Sequence, residues 1–200
     1  MSGVPAPGVL YEDASFLVVD KPAGLPVIPL RHDPGALTVR RLLEQVRAER
    51  LFVCHRLDVG TSGCLLLARN EAAHRAASTA FAARRVEKTY LAVCEAARAD
   101  APSAGRVDRP IGPGRRGAMR LDSRGRPATT RYRVLRREGS LAWIEARPVS
   151  GRRHQVRLHL RAAGWPLAYD PRYGGQDPRF ARLTLHAWHL ALPEFGIEAL

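Results

Sequence analysis

Paired cysteines, long apolar runs, acidic excess and lysine are all scarce in this chain of 200 residues. The three cysteines, Cys54, Cys64 and Cys94, are odd in number and nowhere form a CxxC. A disulfide framework is therefore not expected, and a reducing, cytosolic compartment is. No apolar stretch approaches the roughly 20 residues that span a bilayer. The opening MSGVPAPGVLYEDASF has no basic region followed by an apolar core, so it does not read as a secretory signal. Acidic residues number 19 against 32 lysines and arginines, giving a net charge of +13 and a pI near 11.0. Such a field favours polyanions: RNA, DNA or an acidic membrane surface. Lys21 and Lys88 are the only lysines among those cations. A preference for arginine can follow from genome base composition, so the net excess carries the inference and the residue choice does not. Metal-site spacing is missing as well. His186 and His189 form an HxxH and His154 and His159 are five apart, but no carboxylate or cysteine joins them in a ligand pattern. Structural or RNA-contact roles are expected for these histidines, with no metal and no cofactor.

What is present is an ordinary globular chain. Its hydrophobic fraction is 46%, and its length suits one domain, residues 1–200, with a proper core. Residues 8–20 read as an entry strand. Asp33-Pro34 reads as the start of a helix, with Val39, Leu42, Leu43 and Val46 as its apolar stripe. Leu51–Cys54 and Cys64–Ala68 read as short strands. Asn70 caps a second helix with Ala73, Ala76, Ala77, Ala80 and Phe81 on one face. Residues 86–94 read as a strand, and 96–127, dense in Gly, Pro and Arg, as a long excursion holding short strands at most. Residues 129–137 and 140–149 form an expected hairpin turning at Glu138-Gly139. GRRHQVRLHLRAAGWP, 151–166, fits helix better than strand, because Gly164 and Pro166 end it. LTLHAWHLAL reads as a last strand.

One motif is a decoy. Gly112-Pro113-Gly114-Arg115-Arg116-Gly117 matches GxGxxG, but a dinucleotide fingerprint needs a strand before it and a helix opening at it. Pro110 and Pro113 interrupt, and AMRLDSRG is no amphipathic helix.

HRLDVGTSG, 55–63, is the more informative stretch. It places Asp58 beside Arg56 in a polar loop between two apolar runs. A capped turn would explain it; so would a carboxylate kept ionised on a loop held by strands. Its wider setting points to the second. HRLDVGTSGCLLLARN resembles the catalytic motif of the RluA-type pseudouridine synthases. The likeness continues in order through LYEDASFLVVDKPAGLPV, VEKTYLAV, RPATTRYRVL, PVSGRRHQVRLHLRAAGWPLAYDPRYGG and LHAWHL, over about 180 residues.

That resemblance implies an α+β catalytic domain, with a mixed, largely antiparallel central sheet flanked by helices and loops. It implies isomerisation of uridine to pseudouridine in rRNA or tRNA, without cofactor, by a cytoplasmic monomer. Asp58 resembles the family's catalytic aspartate. Tyr90 resembles the tyrosine that packs on the target base and is the candidate for removing its C5 proton. Arg157 matches the basic residue that pairs with the aspartate, and Arg56 the arginine that holds the flipped site open. Leu57 and Thr61 match supporting positions. Arg152 and His154, with Arg115 and Arg116 of the excursion, are expected RNA contacts. No RNA-binding S4 domain is expected ahead of the catalytic domain, and the final strand is expected to be cut short. Ser150 and Arg153 stand where threonine is common, Asp20 where asparagine is usual, and Tyr169 where glycine is usual, which puts the local backbone in question. A non-catalytic RNA-binding or ribosome-assembly factor is the alternative. A nucleoside hydrolase fits less well, for want of a second carboxylate.

Overall fold

The computed structural model describes residues 6–30, 33–97 and 100–200. In chain order its elements are β1 (Val9–Glu12), β2 (Phe16–Lys21), α1 (Val39–Arg47), β3 (Phe52–Val53), β4 (Ser62–Ala68), α2 (Glu71–Ala82) and β5 (Glu87–Glu95). There follow β6 (Ala104–Asp108), β7 (Ile111–Pro113), β8 (Met119–Leu121), β9 (Thr129–Glu138), β10 (Leu141–Pro148), α3 (Gln155–Ala162), β11 (Leu185–Leu192) and β12 (Ile197–Ala199). The chain divides into two compact units. One runs through Glu87 and takes up Ala187–Leu200; the other is Lys88–His186. The class is α+β, as expected.

In the first unit the strand order is β1-β2-β4-β11, with β3 on β4 and β12 on β11. The β1–β2, β2–β4, β3–β4 and β11–β12 pairs are antiparallel. All seven residues of β4 are buried. Leu65, Leu66 and Leu67 are wholly so, each worth roughly 1.5–3 kcal/mol relative to exposure. The helix α2 lays Ala73, Ala77 and Ala80 against that core, and its small side chains let it approach closely. Asn70 caps it as expected, its side chain accepting the Ala73 N–H at 2.9 Å.

In the second unit the order is β5-β10-β9-β6, antiparallel at the β5–β10, β10–β9 and β9–β6 pairs, and β7 and β8 form a separate hairpin. Its core gathers Ile144, Val156, Leu160, Trp165 and Leu167. Residues 151–154 are irregular, and α3 begins at Gln155 and ends at Ala162, with Gly164 at φ 88 just beyond.

Three expectations need correction. The single entry strand is two, because Asp13 bends the chain: its Oδ1 accepts the N–H groups of Ser15 at 2.7 Å and Phe16 at 2.6 Å. The first helix opens at Val39, where the Thr38 hydroxyl accepts the Arg41 N–H at 3.1 Å. Asp33 instead starts a turn, its carbonyl accepting the Ala36 N–H at 3.3 Å. On that helix Val39 and Leu43 are buried, whereas Val46 is exposed. The β9–β10 turn is Gly139-Ser140, one residue later than read, since Gly139 takes the φ of 57 that the turn needs.

Candidate active site

The HRLDVGTSG loop leaves β3 and enters β4, so a two-residue strand and a fully buried one fix its ends. His55 anchors it: Nε2 accepts the Leu66 N–H at 3.0 Å, and the ring stacks on Phe81 at 4.9 Å between centroids. Leu57 turns inward, Asp58 is half-buried and Arg56 is exposed. Thr61 N–H returns to the Asp58 carbonyl at 3.0 Å and closes the turn. Thr61 and Ser62 are buried.

Beneath the loop lies Lys21, wholly buried at the end of β2. Its ammonium donates to the carbonyls of Pro22 and Leu25 at 2.8 Å and of Val59 at 3.0 Å. Three donors meet three acceptors, a match that a tetrahedral ammonium makes and a planar guanidinium does not. Burial pushes the Lys21 pKa down to about 8, while the negative charge of Asp58 pulls the other way.

In the second unit, Arg157 on α3 is buried and gripped edge-on by Asp170, Nε to Oδ2 at 2.8 Å and Nη2 to Oδ1 at 2.7 Å. Burial is the largest influence on Asp170 and raises its pKa. The Arg157 hydrogen bond and charge, with the N–H groups of Arg172 and Tyr173, outweigh it and hold the carboxyl below its ordinary range. The Tyr173 ring lies under the guanidinium at 4.8 Å. Its hydroxyl meets His154 Nδ1 at 2.5 Å. Sequence reasoning placed His154 against RNA; it is buried at the start of α3 in the left-handed region, φ 58. His159 is buried likewise, between Thr130 and the Arg109 carbonyl.

Tyr90 is half-buried on β5, opposite Ala146 of β10. Two residues earlier on the same face, Lys88 has its pKa pushed down to about 8 by burial. Arg152 reaches the Pro127 carbonyl at 3.1 Å, and Arg115 and Arg116 are exposed on a short 3-10 turn between β7 and β8. Strand and 3-10 turn, with no helix opening, also account for the GxGxxG there. Ser150 gives its hydroxyl proton to Gln155 Oε1 at 2.8 Å. Tyr169 is not among the residues at positive φ, so the place usually held by glycine suits a side chain here. Arg56 and Asp58 thus share one loop, and Arg157 and His154 meet through Tyr173. Asp58 belongs to the first unit, Tyr90 and Arg157 to the second. Among the described residues no group of three or more His, Cys, Asp and Glu gathers as metal ligands would.

Residues 15–162 match the family model described as RNA pseudouridylate synthase. The chain belongs to that family. It is 36% identical over 92% of its length to an uncharacterised RNA pseudouridine synthase of Zymomonas mobilis, of which it spans 86%. Over 92% of its length it is 35% identical to ribosomal large subunit pseudouridine synthase D of Nitrosomonas europaea, of which it spans 57%. Among solved structures, human RNA pseudouridylate synthase domain containing 1 superposes with a TM-score of 0.79 at 29% identity, over 96% of this chain and 82% of the human one. This pseudouridine synthase is of the RluA type, an RNA-modifying isomerase, as the ordered motifs imply. Among its described residues no helix is long and apolar enough to cross a membrane.

Three residues of the pseudouridine synthase escaped sequence reasoning. Asp170 and Tyr173 lie in the quoted YDPRYGG, where nothing in spacing says what they hold. Lys21 carried a signal: it is one of two lysines in an arginine-rich chain.

Proposed function

We propose that this enzyme converts uridines in the loops of rRNA or tRNA stems to pseudouridine, with Asp58 as its catalytic carboxylate. The observation that carries the reading is a half-buried Asp58 in a turn fixed from below by the Lys21 ammonium, inside a motif of the family to which the chain belongs. The reaction breaks the C1′–N1 bond, turns the uracil and forms a C1′–C5 bond; C5 gives up a proton and N1 gains one. Asp58 attacks C1′ or assists elimination to a glycal. Tyr90 stacks on the base and takes the C5 proton, and Arg157 is the cation of the site. No atom is gained or lost, so the isomerisation calls for no cofactor.

Extruding a base costs a few kcal/mol, least from a loop, and stacking returns about 1–3 kcal/mol. Loop uridines are therefore the favoured targets. The +13 charge supports binding to phosphate, with Arg56, Arg115, Arg116 and Arg152 as contacts. His154 is reassigned from contact to support. Tritium release from C5-labelled RNA tests the reading. Release with the base retained supports it; free uracil marks a hydrolase, and binding alone an adaptor. Carbodiimide-dependent primer extension of total RNA then maps the uridines. Sites confined to continuous duplex overturn the loop assignment.

A further inference from the structure

One hydroxyl in the second unit has more partners than packing requires. The Tyr173 oxygen accepts the main-chain N–H of Met119 at 2.7 Å and meets His154 Nδ1 at 2.5 Å. A main-chain N–H can only donate, so the Tyr173 oxygen accepts from Met119; its bond to His154 Nδ1 runs in the direction that the imidazole tautomer sets. Three elements converge on that oxygen: β8, the start of α3, and the 170–173 segment.

Each of the three leads somewhere. Met119 closes the β7–β8 hairpin opposite Pro113, and the turn between them carries Arg115 and Arg116. Arg172 ties the same turn from outside, donating to the Arg116 carbonyl at 3.3 Å. His154 precedes α3, which carries Arg157. Tyr173 itself donates its N–H to Asp170 Oδ1 at 3.2 Å, and its ring lies under the guanidinium that Asp170 grips. The side chain is buried, so these bonds are shielded from water.

We propose that Tyr173 is a positioning residue: its ring sets the face of Arg157, and its hydroxyl docks the arginine-bearing hairpin onto the same support. RNA phosphate held by that hairpin is thereby linked to the placement of Arg157. The claim rests on the reading of Arg157 and the hairpin under the proposed function.

The two halves of the side chain separate by substitution. Tyr173→Phe keeps the ring and deletes both hydroxyl bonds. Losing a hydrogen bond to a neutral partner is expected to raise KM for a stem-loop RNA about 3- to 10-fold, with kcat little changed. Met119 amide exchange should accelerate by at least a similar factor. Tyr173→Leu removes the ring too, and misplacement of Arg157 should lower kcat by roughly 100-fold. An unchanged KM together with unchanged Met119 exchange in Tyr173→Phe would overturn the proposal. So would losses that vanish once activity is expressed per folded molecule. If Tyr173→Leu does not fold, Tyr173→Phe alone decides. If the wild-type enzyme forms no pseudouridine, the functional reading fails. The coupling is then judged by stem-loop affinity and Met119 exchange, neither of which needs turnover.

Discussion

Lys21 Nζ donates to the carbonyl of Val59 at 3.0 Å, one residue beyond Asp58. The same carbonyl accepts the Gly24 N–H at 2.8 Å, so the turn that carries the carboxylate is riveted to the 21–25 segment. Lys21→Met strips the ammonium from three carbonyls in a dry site and should cost about 3 kcal/mol in chemical denaturation. Lys21→Arg should not restore it, because a planar fork cannot point at all three.

Asp58→Asn should abolish pseudouridine formation while RNA affinity stays within a few fold. Asp58 is one anion in a strongly cationic protein, so in the proposed role its loss should be felt in chemistry more than in attraction. Tritium release and filter binding on the same preparation check both halves. Substantial turnover by the amide would remove Asp58 from its role.

Binding should weaken steeply with salt. Each phosphate contact on single-stranded RNA contributes a log–log slope of roughly −0.7. Replacing Arg115 and Arg116 together by Gln should make the slope shallower by about 1.4. Titrations from low to physiological salt measure it; a flat dependence would contradict the phosphate-contact picture.

Gly63 should tolerate no side chain. It sits at φ +107 where the HRLDVGTSG loop enters β4, and a Cβ there would lie 2.2 Å from the Ala187 carbonyl oxygen. Both atoms are main chain or fixed to it, so relief needs the strands to part. Gly63→Ala should cost about 3 kcal/mol, read from denaturant midpoints.

Acid should loosen the second unit through Asp170. Its carboxyl titrates below the ordinary 3.8 when folded, so between the two values the unfolded chain binds the extra proton. The stabilisation is complete above pH 3.8 and drains away as pH falls through the lowered value. Asp170→Asn paired with Arg157→Gln should flatten the acid limb of stability against pH. An unchanged limb would show that other carboxylates govern it.

Much of this was legible in the chain because local chemistry and fold agree. Asn70 caps α2, Gly164 ends α3, and the apolar flanks of HRLDVGTSG are β3 and β4. The misreadings came where two local signals competed. Asp33-Pro34 carries a helix-start signature, but Thr38 stands next to the apolar run and wins. Asp13 hides a turn inside what reads as one strand. His154 looks like a solvent-facing cation in GRRHQVR; only tertiary structure shows it turned inward to Tyr173. The Arg157–Asp170 clamp is thirteen residues apart in sequence, and no periodicity announces a pair joined across a helix and a loop.

The two lysines have a practical consequence. Lys21 is sealed inside and Lys88 is largely covered, while the exposed cations are arginines. Reagents that couple through lysine ε-amines, activated esters among them, therefore find almost no such amine exposed on this protein. Photochemical capture on RNA, which works through rings and backbone, would record encounters that amine-directed capture misses.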